Sequence, residues 1–132
     1  MASSSSHIEE ISATDSIDLL RTEQVGRVGV SVNGRPEIFP VSYSLDASDS
    51  ILFRTGVGTK MSAAVNHQVV FEVDRLDAEM GTGWSVIVHG VAQHTERVAE
   101  NDQPLISFRD DTPYLIRISR SSVTGRRIQR ST

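Results

Sequence analysis

The chain has 132 residues, 17 acidic and 13 basic side chains and a net charge of −4, which suits one packed domain but not two. That balance excludes nucleic acid as the main partner, because a polyanion is held by a basic field. There is no cysteine, no apolar run near the roughly 18 residues of a membrane span, and no basic-then-apolar leader, so a soluble cytoplasmic protein without disulfides, thiolate metal sites or a membrane partner is expected.

Residues 1–13 include the serine run Ser3-Ser4-Ser5-Ser6 and are expected to form a disordered lead, leaving residues 14–132 as a single domain. Thr14 or Asp15 can cap a short helix that runs through Ile17, Leu19 and Leu20 to about Gln24, with Gly26 ending it. Val28, Val30 and Val32 then alternate with small residues, and Asn33-Gly34 follows, the signature of a type I′ hairpin. The return strand spans about 35–45. Its prolines at positions 36 and 40 place a bulge or an edge near Pro40, since proline donates nothing to a ladder.

A turn at Asp46-Ala47-Ser48-Asp49 leads to a strand from Ser50 to Arg54, then a short helix from about Lys60 to Asn66. Gln68 to Asp74 reads as a buried strand, and Trp84 to His94 as a long one, with Gly90 marking a bend or bulge. Residues 97–112 are polar and turn-rich. Tyr114–Ser119 and Ser122–Ile128 read as two final strands. About six antiparallel strands with tight turns and short helices imply a mainly β protein, a closed or nearly closed barrel. A barrel this small fills its interior with side chains, so a ligand belongs on its rim or at a subunit boundary.

The segment Arg54-Thr55-Gly56-Val57-Gly58-Thr59-Lys60 carries the most chemistry: two cations, two hydroxyls and two glycines before a helix that Thr59 can cap. Free amides and the positive end of a helix dipole would face that loop, an arrangement that holds phosphate. Lys60 is the only lysine in the chain. A Walker loop is excluded because Thr59 precedes Lys60 and Met61 follows it, and no G-x-G-x-x-G occurs. Nucleoside triphosphates and a Rossmann dinucleotide site are thereby set aside, leaving a phosphorylated small molecule.

Several stretches occur together in one order: Gly34-Arg35-Pro36-Glu37-Ile38-Phe39-Pro40-Val41-Ser42-Tyr43, Leu52-Phe53-Arg54-Thr55, Gly58-Thr59-Lys60, Val70-Phe71-Glu72-Val73-Asp74 and Gly83-Trp84-Ser85-Val86-Ile87-Val88-His89-Gly90. With the ending Val123-Thr124-Gly125-Arg126-Arg127-Ile128, the chain over roughly residues 15–128 resembles the pyridoxamine 5′-phosphate oxidase-like flavin-binding split barrels, most closely their small actinobacterial-type members. The resemblance implies a six-stranded antiparallel split β-barrel that forms a homodimer with FMN at the subunit interface. It implies that Arg54 and Lys60 bind the FMN phosphate with Thr55 and Thr59 supplementing them, and that Pro40, Val41 and Ser42 line the isoalloxazine through backbone groups. Trp84 corresponds to an aromatic near the flavin or the interface, and Arg126 or Arg127 could reach a cofactor.

The activity so implied is electron or hydride transfer to a small organic substrate; the family's other cofactors, a deazaflavin coenzyme or haem, give the alternatives, as does a flavin- or haem-binding protein without turnover. The family's oxidase carries a C-terminal segment of Arg and His residues that holds pyridoxal phosphate; this chain has no counterpart, so pyridoxamine phosphate oxidation is not expected. No catalytic residue stands out. His89 and His94 lie five apart on one strand and face opposite sides, which argues against a shared metal site. The arginines of the C-terminal stretch read as a solvated face complementing acidic residues.

Overall fold

Alternating β-branched residues dominate the chain, and the computed structural model, which describes residues 5–55, 62–95 and 114–131, turns them into seven strands and one helix. In order these are β1 (Ser5–Ile11), α1 (Ala13–Leu20), β2 (Val25–Val32), β3 (Arg35–Leu45), β4 (Ile51–Thr55), β5 (Gln68–Asp77), β6 (Thr82–Thr95) and β7 (Tyr114–Ser131). A single 3₁₀ turn, Ser62–Ala64, precedes β5. All ladders are antiparallel, in the order β1-β7-β4-β3-β2-β5-β6, and β6 also pairs with β7. That last pairing closes a ring of six strands, with β1 added outside it on β7. The six-stranded split barrel expected from the sequence is the observed architecture. Among the described residues, no helix is long and apolar enough to cross a membrane.

The period of two decides what fills the ring. Val28, Tyr43, Phe53, Phe71, Val73, Val86, Val88, Ile116 and Ile118 point inward and are buried, while their chain neighbours face out. Full burial of a side chain such as Phe53 or Phe71 contributes about 1.5–3 kcal/mol. Tyr43 meets Phe71 edge to face with ring centroids 5.0 Å apart. Its hydroxyl donates to the Leu20 carbonyl, tying α1 to the barrel, and burial raises its pKa above the ordinary tyrosine value.

Local sequence explains most of the turns. Asn33 and Gly34 take φ of 53° and 78°, as a type I′ hairpin requires. The expected irregularity at Gly90 is present: His89 pairs with Ser122 but Gly90 with Arg120, so Ser121 is the extra residue of a bulge in β7.

Four expectations change. The lead is not disordered throughout, because residues 5–11 form β1, with Ile8 opposite Ile128, Glu9 opposite Arg127 and Glu10 opposite Arg126. The helix starts two residues early, since Ser12 Oγ accepts the Asp15 amide at 3.1 Å, and it stops at Leu20. Gly26 therefore belongs to β2. It is needed there because the Phe71 ring occupies the space a Cβ would take, 2.5 Å from it. The final two strands are one continuous strand, and of the helix expected at 60–66 only the 3₁₀ turn is observed, residues 60 and 61 lying outside the described residues.

Candidate functional site

β3 uses its two neighbours in different halves. From Arg35 through Ser42 it pairs with β2, and from Tyr43 through Leu45 it pairs with β4. The Tyr43 amide, at the changeover, donates to the Gln24 carbonyl at 3.0 Å. Among the described residues the β3–β4 ladder ends at Tyr43–Phe53, whereas β4 continues to Arg54 and Thr55 on the Leu115 and Tyr114 positions of β7. The barrel splits between β3 and β4 there, two residues past Pro40.

One further step of the β3–β4 register would set Ser42 beside Arg54 and Val41 beside Thr55. Tyr43 and Phe53 point into the core, so Ser42 and Arg54 share the outer face and Val41 and Thr55 the inner one. Val41 and Thr55 are buried, Arg54 is half-buried and Pro40 is exposed. Ser42 is only 5% exposed despite its outer-face position, and its Oγ has no hydrogen-bond partner. A buried hydroxyl left unpaired costs about 1–3 kcal/mol. Thr59 and Lys60, the other two polar residues assigned to the loop, lie outside the described residues.

The β6–β7 register adds a pair that the sequence reading missed. Tyr114, opposite Thr55 across the β4–β7 ladder, packs its ring 5.0 Å from the His94 ring. His94 and an accessible phenol therefore stand at the same end of the barrel as Arg54. No sequence signal joins them, because the contact depends on a register between residues twenty apart.

Trp84 lies on β6, far from Arg54 along one route round the ring and nearer β3 along the other. Arg54 is opposite Leu115, and Leu115 is opposite Thr95, eleven residues along β6 from Trp84 or roughly 35 Å of strand. Round the ring the other way, three strand spacings or roughly 14 Å separate β3 from β6. The half-buried indole packs against the core and borders a groove of about 490 Å³ at the β5–β6 hairpin, with Arg75, Leu76 and Glu79. A smaller hollow of about 330 Å³ lies between α1 and β7, where Arg21 is ion-paired with Asp49. Arg126 and Arg127 are exposed on β7, opposite Glu10 and Glu9.

The outer face of β2 and β5 carries a charge cluster. Arg27 contacts Glu72 at 2.9 Å and Asp74 at 3.7 Å. Partial burial and the adjacent Asp74 carboxylate push the Glu72 pKa up to about 7 against the opposing pull of Arg27. Exposed apolar residues surround this cluster: Val25, Ile38 (72% exposed) and Ile87. Among the described residues, no group of three or more His, Asp or Glu side chains could hold a metal ion.

The family model for pyridoxamine 5′-phosphate oxidase matches residues 12–127. The chain is 31% identical to the uncharacterized protein Rv0080 of Mycobacterium tuberculosis, over 95% of this chain and 88% of that one. Among solved structures, the FAD binding protein of Mycobacterium smegmatis is 34% identical with a TM-score of 0.73, covering 92% of this chain and 98% of its own. A FAD-binding protein of Mesorhizobium loti, 20% identical, shares the fold at a TM-score of 0.75 over 95% of this chain and 99% of its own.

Proposed function

The chain belongs to the pyridoxamine 5′-phosphate oxidase family, and we propose that it binds a flavin at the split between β3 and β4. The observation that carries this reading is the changeover of β3 at Ser42–Tyr43, with Arg54 leaving β4 beside it. The fit is physical: a half-buried cation flanks the split where the β3–β4 ladder stops. The 34% identical relative named as a FAD binding protein supports the same ligand class.

In this reading Arg54 and Lys60 hold the flavin phosphate, with Thr55 and Thr59 beside them. Pro40, Val41 and Ser42 line the isoalloxazine, and the buried inner row behind them keeps water from that side. FMN is the first ligand to test and FAD the second. The flavin, when bound, supplies reversible electron or hydride transfer, for which a small organic acceptor is the proposed substrate. The exposed Val25 beside the split, with Ile38 and Ile87 on the same outer face, supports a homodimer that closes over two such sites, with Trp84 near the cofactor or the interface.

Purified protein should titrate with FMN or FAD in a saturable way and turn yellow, and NAD(P)H should bleach the bound flavin. Absence of binding to either flavin would refute the reading. Binding without reduction by nicotinamide or reduced deazaflavin would leave a flavin carrier in place of an oxidoreductase. Light scattering during size exclusion should report twice the chain mass.

A further inference from the structure

We propose that the outer edge of β1 pairs antiparallel with the β1 of a second copy of this chain, across a two-fold axis at Ile8. Strand β1 ends the sheet: among the described residues only β7 pairs with it, from Ser5 opposite Ser131 to Ile11 opposite Gly125. Helix α1, which follows, turns back over β7, where Ser16 packs against Gly125, and leaves the outer edge of β1 clear. An open edge is a template for a further strand, and Ile8 on it is 63% exposed. Nothing in this pairing depends on the flavin reading.

Parity selects the register. A two-fold axis normal to a sheet keeps each side chain on its own face, and residues opposite each other on a ladder share a face. The axis must therefore pass where a residue meets its own copy. Centring it on Glu9 or Glu10 sets two carboxylates opposite each other, and centring it on His7 sets two imidazoles. Centres nearer either end of β1 shorten the ladder. Centred on Ile8, isoleucine meets isoleucine, and His7 of each copy meets Glu9 of the other. Within one chain Ile8 is already opposite Ile128, and Glu9 opposite Arg127. The joined sheet thus carries an unbroken isoleucine row on one face, Ile128 and Ile8 from each copy. On the other face each Glu9 stands between an arginine and a histidine. Seven residues a side is small against the roughly 20–30 of a stable interface, so the pairing is a concentration-dependent step, half complete at about 0.1 mM. It uses a surface separate from the outer face that carries Val25, Ile38 and Ile87, so it can join two homodimers built on that face.

The chain has no cysteine, so Ile8→Cys introduces a single thiol for a direct test. Facing Cα atoms of paired strands stand about 4.5–5.5 Å apart, within disulfide range, whereas the two Glu10 positions would stand roughly 13 Å apart along the strands. Under mild oxidation Ile8→Cys should give a disulfide-linked pair at least about tenfold faster than Glu10→Cys at equal concentration. In sedimentation equilibrium from about 10 μM to about 1 mM, the average mass of the wild type should rise. His7→Lys should associate at least as readily, whereas His7→Glu, which faces Glu9 of the second copy, should need at least about tenfold more protein. Equal cross-linking at the two positions would overturn the pairing, as would a wild-type mass that does not rise or a His7→Glu variant that associates like the wild type.

Discussion

Followed from Trp84 to Thr95, β6 joins two regions of unlike chemistry. The Trp84 end borders the larger groove, about 490 Å³, walled by the β5–β6 hairpin with Leu76 and Met80 exposed nearby. The Thr95 end, through Leu115, reaches Arg54 and the His94–Tyr114 pair. Among the described residues, a groove marks the first end and a set of polar groups the second. A binding site needs the second more than the first, because orientation and specificity come from a few placed polar atoms.

The sharpest test of that contrast is Arg54→Ala combined with Lys60→Ala. Each charge-assisted contact to phosphate is worth about 1.5–3 kcal/mol, so FMN affinity should fall at least about a hundredfold while circular dichroism stays that of the wild type. Unchanged affinity would move the site away from the split. Trp84→Ala should act on the fold instead, costing about 2–3 kcal/mol through lost packing against the core and shifting FMN affinity less than tenfold. A loss comparable to that of the double variant would join the two regions across a pair of subunits.

Glu72 tests the face between them. Folded, it keeps its proton to about pH 7, against an ordinary value of 4.5. The folded state thus binds more protons in that window, so this contribution to stability is full below about 4.5 and is lost as pH rises through 7. Glu72→Gln should flatten the melting temperature between those values and be the more stable protein above pH 7. A wild-type profile retained in the variant would assign the dependence to other groups. The smallest effect is expected at the hairpin surface, where Leu76→Asn should change stability by no more than about 0.5 kcal/mol and leave flavin titrations unaltered.

The sequence made the barrel legible wherever the information was local. Asn33-Gly34, the alternation in β2 and β5, and the break at Gly90 each act within a few residues. It failed where a partner distant in sequence decides the outcome. Ser5–Ile11 lacks the composition of an independent strand, yet β7 supplies a matching row with Ile128 and two arginines. The Ser42 orphan was not legible, because burial on an outer face depends on tertiary packing.

The length of β7 bears on how the molecule assembles. Its 18 residues pair with β4 near one end, β6 through the middle and β1 near the other, joining positions 51–55 and 5–11 to a strand that emerges from synthesis long after both. Such pairings are the slow kind, because a long loop must be closed before any contact rewards it. The β2–β3 and β5–β6 hairpins can form on a growing chain, but the ring itself has to wait for its final strand. Until then β4 and β6 present edges that β7 will cover, and these are the surfaces most open to misplaced association during folding.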